Sequence, residues 1–246
     1  MVDAPPPGHR AYGRVVDEFI ARATEMAGRP GRSILGIAGA PGAGKSTFAE
    51  AIVAALGPET AILVPMDGFH LAERTLVQLG LRSRKGAPET FDAAGYAHLL
   101  RRLAQQTTGI VYAPYFDRAL EEPIAAGIAV SADVPLVVTE GNYLLLDSGH
   151  WPDARAAMDE VWYLDIDDDV RRERLVERHS LFGKTDLEAR AWAHGSDEHN
   201  ASLVASTAHR ADLAITAPAE PSLHRIHLDL HKPPRHGKRG DLEGEP

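Results

Sequence analysis

The chain has 246 residues, of which 44% are hydrophobic, enough for one sizeable core and a small appended subdomain. Its 26 basic and 35 acidic residues give a formal net charge of -9, which argues against a general nucleic-acid binder. The chain contains no cysteine, and no apolar run has the length of a signal-peptide core or a membrane span, so we expect a cytoplasmic protein with no nucleic-acid or membrane partner.

The two ends of the chain have the composition of tails. Residues 1–10 are rich in proline, and residues 231–246 are polar, charged and rich in proline and glycine, so we expect both to be mobile. The folded domain should therefore span residues 11–230. Apolar residues recur at helical spacing from Tyr12 to Ala23 and predict a first amphipathic helix.

Five short apolar runs along the chain predict strands. The intervening stretches are long enough for helices, and this alternation is typical of βαβ units around a parallel sheet that is buried on both faces. The fold class is therefore α/β. Residues 68–131 are too long for a single crossover, and we interpret them as an inserted substrate-binding region. The predicted strands are Ser33–Ala38, Ala61–Met66, Leu136–Thr139, Val161–Ile166 and Asp212–Thr216.

A glycine-rich turn separates the first of these strands from the helix predicted after it. The segment GAPGAGKST fits the pattern G-x-x-x-x-G-K-[ST] in the strand-to-helix setting that a phosphate-binding loop requires; a plain turn with a solvated lysine is the alternative. Glycines let backbone N–H groups converge on phosphates at the positive end of the helix dipole. Lys45 would reach the β- and γ-phosphates of ATP, and the Ser46 hydroxyl would ligate Mg²⁺. The predicted nucleotide-binding residues are Gly39, Ala40, Pro41, Gly42, Ala43, Gly44, Lys45, Ser46 and Thr47.

Two of the predicted strands end close to an acidic residue, Asp67 in one and Glu140 in the other. Because the carboxyl ends of parallel strands share one edge of a sheet, both acids could face the bound phosphates. Glu140 would then support Mg²⁺, and Asp67 could take the proton from an attacking hydroxyl. Asp67 could instead cap a helix, and Glu140 could be a turn residue before Gly141.

Three arginines, Arg171, Arg174 and Arg178, fall on one face of a predicted helix. Such a stripe could clamp a transferred phosphoryl group, or it could be a solvated face paired with Glu173 and Glu177. We interpret residues 171–200 as a mobile helical lid.

Taken in order, these segments resemble the branch of P-loop kinases that includes bacterial type I pantothenate kinase, uridine kinase and phosphoribulokinase, and most closely the fructose-transport-system or nucleoside/nucleotide kinases. The resemblance implies a P-loop three-layer sandwich with a helical lid, and ATP and Mg²⁺ as cofactors. It also implies that Asp67 is the catalytic acid–base residue, that Glu140 lies at the Mg²⁺ site and that Arg174 and Arg178 are lid arginines. It covers residues 36–216 and is carried by GAPGAGKST, PMDGFHL, RKGAPETFD, PYFDR, VVTEGNYLLL and RRERLVERH.

The identity of the phosphoryl acceptor is the part that the resemblance determines least. Gly86 stands where uridine kinases have an aspartate that contacts ribose, which argues against a nucleoside. Residues 113–118 replace the tyrosine-serine-histidine element of pantothenate kinases, which argues against pantothenate. We therefore predict a kinase for a sugar or a sugar-like polyol. A nucleoside or pantothenate kinase is the alternative, and a nucleotide-dependent switch acting on a protein partner is the alternative from another class.

The candidate substrate-binding residues come from the segments around Asp67, Gly86 and Glu140. The three cations among them could bind an anionic or polyhydroxylated substrate, or they could make surface ion pairs with Glu89, Glu121 or Glu122. The histidine could hydrogen-bond the substrate or be a satisfied half-buried residue. The oligomeric state is open, and a homodimer is one option. The candidates are His70, Arg84, Lys85, Tyr115, Arg118 and Asn142.

Overall fold

Two sheets form the framework of the computed structural model, which describes residues 7–181, 183 and 185–216. Five strands pair in parallel in the order β2-β5-β1-β6-β7, and β3 and β4 form a separate antiparallel ribbon. The α/β class predicted from the sequence is confirmed. The strands are β1 (Ser33–Ala38), β2 (Ala61–Leu63), β3 (Ile110–Asp117), β4 (Glu122–Ser131), β5 (Leu136–Gly141), β6 (Glu160–Asp165) and β7 (Leu213–Thr216).

Helices cover both faces of the parallel sheet and make the predicted three-layer sandwich. Successive residues of β1 point to opposite faces, so that Leu35 packs with α1 and α2 and Ile34 packs with α4, α5 and α8. Both faces of the sheet are therefore dry, as expected for parallel strands. The helices are α1 (Pro7–Ala27), α2 (Lys45–Leu56), α3 (Glu73–Leu79), α4 (Ala93–Ala104), α5 (Trp151–Arg155), α6 (Asp168–Leu181), α7 (Asp186–His194) and α8 (Ser196–Ala205).

Strand β2 is shorter than the apolar run that predicted it, and the reason lies in its sequence. The Val64 N–H still donates to the Val138 carbonyl at 2.8 Å, but Pro65 has no N–H with which to continue the ladder. The Thr139 hydroxyl donates instead to the Val64 carbonyl at 2.6 Å. The chain then leaves the sheet and enters a short 3₁₀ helix, Met66–Phe69. This early exit carries Asp67 beyond the sheet edge.

The region predicted as an insertion divides into a core part and a peripheral part. Helix α4 belongs to the core, because Tyr96, Leu100 and Leu103 are fully buried against the sheet. Asp92 accepts a hydrogen bond from the Gly95 N–H at 2.8 Å and caps this helix. Only α3, the loop after it and the β3–β4 ribbon lie outside the sandwich, so the peripheral part is smaller than the predicted range 68–131.

The ends of the domain differ in part from the sequence-based prediction. Helix α1 begins at Pro7, so residues 7–10 of the predicted N-terminal tail are helical. The predicted C-terminal tail, residues 231–246, lies outside the described residues. Among the helices of residues 7–216 that the structure describes, none has both the length and the apolar character needed to cross a membrane.

Candidate active site

The phosphate loop, residues 39–46, connects the carboxyl end of β1 to the start of α2. Gly42 and Gly44 have φ angles of 83° and 92°, which L side chains rarely adopt. A Cβ atom on Gly42 would lie 2.8 Å from the Arg171 carbonyl oxygen, and one on Gly39 would lie 2.7 Å from the Leu164 carbonyl oxygen. Position 42 therefore requires glycine because of both its backbone angle and the close approach of Arg171, and position 39 requires it because of the close approach of Leu164. The loop curves into a cradle of backbone groups that suits a phosphate.

Lys45, the first residue of α2, has its ammonium group held beneath the phosphate loop. Nζ donates to the Ala40 carbonyl at 3.0 Å and to Asn142 Oδ1 at 2.7 Å. Burial lowers the pKa of Lys45 to about 8, although the negative charges of Glu140 and Asp67 act in the opposite direction. The site therefore holds a desolvated cation whose charge a bound phosphate would neutralise.

Ser46 and Glu140 form the second part of the nucleotide site. Ser46 Oγ donates to Glu140 Oε1 at 3.0 Å, and Glu140 is only 6% exposed. Burial and the nearby negative charge of Asp67 raise the pKa of Glu140, while Lys45 and the Ser46 hydroxyl lower it. A carboxylate next to a hydroxyl is an oxygen donor set that Mg²⁺ prefers.

Ser46 and Glu140 supply too few ligands to hold Mg²⁺ without the nucleotide. Within it, no three or more histidine, aspartate or glutamate side chains are grouped so that they could hold a metal ion by themselves. Mg²⁺ commonly binds through one or two carboxylates together with substrate phosphates. Ser46 and Glu140 are therefore consistent with an ion that arrives with the nucleotide.

Asp67 lies in the 3₁₀ helix that follows β2, and its side chain is 29% exposed. Arg118 Nη2 approaches its Oδ2 atom at 3.5 Å. Across residues 7–216, as far as the structure describes them, no backbone N–H donates to the Asp67 carboxylate, so the helix-capping alternative does not apply. The carboxylate is thus partly exposed to solvent, and its negative charge acts on the Glu140 carboxylate.

The arginines of α6 have different environments. Arg171 is 1% exposed and pairs with Asp168 at 2.9 Å and with Glu198 at 2.5 Å, so it holds α6 to α8. Arg174 is half-buried one helical turn before Arg178. Arg178 makes no hydrogen bond or ion pair with any other described residue. Burial and the positive charge of Arg118 lower its pKa, and the nearby acids that act in the opposite direction are Asp197, Asp67 and Glu140. Arg178 is the stripe arginine that the structure leaves available for an anion.

His70 lies beside Asp67 and is enclosed by aromatic rings. Its Nδ1 atom is 2.9 Å from the Asp67 carbonyl oxygen, and its ring centroid is 4.0 Å from that of Phe91 and 4.7 Å from that of Phe116. Burial lowers the pKa of the His70 imidazole, which favours its neutral form. His70 thus resembles the satisfied half-buried histidine of the alternative interpretation, on the wall next to Asp67.

The remaining substrate-binding candidates are not all brought together. Arg84 is exposed and pairs with Glu89 at 2.7 Å, which is one of the surface ion pairs considered as an alternative. Lys85 Nζ donates to the Glu121 carbonyl at 2.9 Å and pairs with the Glu121 carboxylate at 3.4 Å, which is another of those alternative ion pairs. It also lies 5.4 Å from the Phe116 ring centroid. Asn142 contacts Lys45 and so belongs to the phosphate side of the site.

Tyr115 and Phe116 show how a difference of one residue decides which side chain faces the site. Tyr115 is exposed, and its hydroxyl donates to Asp117 at 3.2 Å on the outer face of the ribbon. Phe116 faces inward to His70 and Lys85. Sequence reasoning named Tyr115 and missed Phe116, although side-chain alternation along a strand could have prompted the comparison.

A second feature that sequence reasoning missed is the carbonyl group of Gly86. The Tyr143 hydroxyl donates to it, and so does Asn200 Nδ2 at 3.4 Å. The loop around Gly86 is thereby tied to the end of β5 and to α8. No local sequence signal links these three positions, because they are far apart in the chain.

Comparison with known proteins places these features in a family context. The model of the family described as "Phosphoribulokinase / Uridine kinase family" matches residues 34–183. A crystal structure from Silicibacter sp. TM1040, provisionally titled a fructose transport system kinase, has 38% sequence identity and a TM-score of 0.72, covering 82% of this chain and 98% of that one.

Two further relatives come from yeasts. A Schizosaccharomyces pombe protein provisionally named uridine kinase C227.14 is 36% identical over 175 residues, which cover 68% of this chain and 74% of that protein. The structure of YFH7 from Saccharomyces cerevisiae is 19% identical, with a TM-score of 0.67 over 87% of this chain and 100% of that one, and shows the same fold.

Proposed function

This chain belongs to the phosphoribulokinase/uridine kinase family of P-loop kinases, and from that membership we propose that it transfers the γ-phosphoryl group of ATP to a hydroxyl of a sugar or sugar-like polyol. The observation that carries the proposal is the position of Asp67, a partly exposed carboxylate beyond the end of β2 whose negative charge acts on Glu140 and Lys45 in the phosphate site. A nucleotide switch has no use for such a base, whereas a kinase needs one for its acceptor.

Each residue of the site has a task in this reaction. The phosphate loop and Lys45 would hold the β- and γ-phosphates, and Ser46 and Glu140 would hold Mg²⁺, which screens phosphate charge when bound. The acceptor hydroxyl would attack the γ-phosphorus as Asp67 takes its proton, and the bond between that phosphorus and the leaving oxygen of ADP would break. Arg178 would stabilise the negative charge on the transferred group.

Support for a sugar-like acceptor comes from the relative provisionally titled a fructose transport system kinase, at 38% identity. The S. pombe relative with the provisional name of a uridine kinase supports a nucleoside as the competing acceptor. In this chain Gly86 offers no side chain to a ribose, and its carbonyl is already engaged by Tyr143 and Asn200. We therefore favour the sugar-like acceptor.

The test is the acceptor dependence of ADP release. ATP turnover by the purified protein should stay slow until one compound from a panel of sugars, sugar phosphates, nucleosides, pantothenate and glycerate is added. Lys45→Ala should abolish that stimulation and leave the fold intact. Turnover that is indifferent to every small molecule and rises with a protein partner would instead establish a nucleotide-dependent switch.

A further inference from the structure

Arg118 lies next to the proposed base, and among the described residues it has one weak ion-pair partner. Its contact with Asp67 is a single approach of 3.5 Å, well beyond the roughly 2.7–2.9 Å of a good charge-assisted hydrogen bond. This is the one ion pair that Arg118 makes with the rest of the described chain, and its side chain is 45% exposed. Among the described residues the guanidinium donates to Asp67 alone, so its remaining donors are open to solvent or to a ligand.

The turn that carries Arg118 is held in place by its neighbours. Asp117 Oδ1 accepts hydrogen bonds from the Ala119 N–H at 2.9 Å and the Leu120 N–H at 3.0 Å. Lys85 Nζ donates to the Glu121 carbonyl at 2.9 Å, and the Glu73 N–H at the start of α3 donates to the Glu122 carboxylate at 3.1 Å. The position of Arg118 over Asp67 thus follows from an ordered turn.

Proton transfer to Asp67 would remove the negative charge that lies closest to Arg118. Arg178 is close enough to Arg118 for the two positive charges to repel, and Asp67 is an anion near both. The transferred phosphoryl group would neutralise Arg178. When Asp67 takes the proton of the acceptor hydroxyl, however, Arg118 loses the single carboxylate that it contacts among the described residues. An anionic group on the acceptor would replace that charge at close range, whereas a neutral polyol would leave Arg118 to water and to the more distant Glu140.

Resting on the kinase function proposed above, we infer that the acceptor carries an anionic group, a carboxylate or a phosphate, and that Arg118 is the specificity-determining residue that binds it. The hydroxyl would hydrogen-bond to Asp67, and Arg118 Nη2 lies 3.5 Å from the same carboxylate. The anionic group should therefore lie within roughly 4–6 Å of the reacting oxygen, which corresponds to a few bonds along a sugar-like chain.

The inference is tested with acceptor pairs that differ only in the anionic group. Suitable pairs are glycerol and D-glycerate, pantothenol and pantothenate, D-ribose and D-ribose 5-phosphate, and D-fructose and D-fructose 6-phosphate. ADP release gives kcat/KM for each compound, and phosphorus NMR identifies the product. We expect the anionic member of one pair to be preferred by about tenfold or more. The carboxylate and phosphate pairs distinguish the two sources of the anion.

Variants of Arg118 connect that preference to the side chain. Arg118→Ala should lower kcat/KM for the anionic acceptor by about 10–100-fold, mainly through KM, and change the neutral partner by less than about threefold. Arg118→Lys should restore part of the loss because it keeps the charge but not the planar fork. Arg210→Ala is the matched control, since Arg210 also makes one ion pair, with Asp147 at 3.0 Å, but precedes β7 at the opposite end of the sheet.

The results separate this inference from the proposed function. Turnover of the neutral members alone, or an equal loss for both members in Arg118→Ala, would overturn the inference and leave the kinase function standing. An equal loss would mean that Arg118 acts on a step common to both acceptors, through Asp67 or the transferred phosphoryl group. No acceptor-dependent ADP release with any compound would refute the proposed function, and the inference with it.

Discussion

Replacing Lys45 with methionine should change how the stability of the protein depends on pH. In the unfolded chain a lysine has its ordinary pKa of 10.5, whereas burial lowers the pKa of Lys45 to about 8 in the fold. Below about pH 8, Lys45 is protonated in both the folded and the unfolded protein, and the desolvated charge costs the folded protein about 3 kcal/mol. As the pH rises from about 8 to 10.5, the folded protein releases this proton before the unfolded chain does, and the desolvation cost disappears. Wild-type protein should therefore gain stability relative to Lys45→Met as the pH rises through this range.

The expected gain between about pH 7.5 and about pH 9.5 is about 2 kcal/mol in the free energy of unfolding. It can be measured by urea unfolding of both proteins without nucleotide, at constant ionic strength, with the fluorescence of the buried Trp162 and Trp151 as the signal. Groups that do not interact with Lys45 cancel in the difference, and the lost hydrogen bonds to Ala40 and Asn142 give an offset. The Lys45→Met, Glu140→Gln pair, measured in the same way, removes the contribution of Glu140, whose pKa Lys45 lowers. A difference that stays flat over this range would show that Lys45 is not desolvated, and the reasoning about its charge would fail.

Asp67→Asn should reduce kcat by roughly 10²–10⁴-fold with little change in ATP affinity, because the amide cannot take the acceptor's proton; isothermal titration and acceptor-dependent turnover check this, and normal transfer would exclude Asp67 as the base. Arg178→Ala should lower kcat with an unchanged melting temperature, whereas Arg171→Ala should cost about 3 kcal/mol of stability by breaking a buried ion pair. Kinetics and calorimetry check this, and the reverse pattern would make Arg171 the functional residue and Arg178 the structural one. Gly42→Ala should cost about 1–3 kcal/mol and abolish ATP binding, since its φ is 83° and its Cβ would meet the Arg171 carbonyl. Hydrogen bonds from Arg172 and Arg171 lower the pKa of Glu198 to about 2, so wild-type protein should lose stability relative to Glu198→Gln as the pH falls below the ordinary value of 4.5; parallel acid-unfolding curves would contradict this.

Features that depend on short stretches of sequence were predictable. The spacing of the glycines and Lys45 predicted the phosphate loop, and the alternation of apolar runs predicted the parallel sheet, because both follow from local backbone geometry. The premature end of β2 was also readable, since Pro65 stands inside the apolar run and cannot donate to a ladder.

Features that depend on partners distant in the chain were not predictable. Arg171 and Arg178 occupy equivalent places in the helical stripe, but only Arg171 meets Glu198, which lies on α8. The choice between Tyr115 and Phe116 depends on which face of the ribbon turns toward His70. The alternation of side chains along a strand predicts that the ribbon has two faces, but which face packs toward the site depends on tertiary contacts.

The β3–β4 ribbon is a sheet of its own, apart from the parallel sheet that holds the phosphate loop, and this has a consequence for how such a kinase can evolve. No strand of the parallel sheet pairs with the ribbon in the described part of the chain, and Gly68 packs directly against the Pro114 carbonyl, next to Asp67. Under the proposed function, residues of the ribbon that contact the acceptor could therefore be replaced, inserted or lost while the phosphate loop stays under separate selection. Descendants of one ancestor could in this way keep the same ATP chemistry and change their acceptor in part through mutations in the roughly twenty contiguous codons of the ribbon.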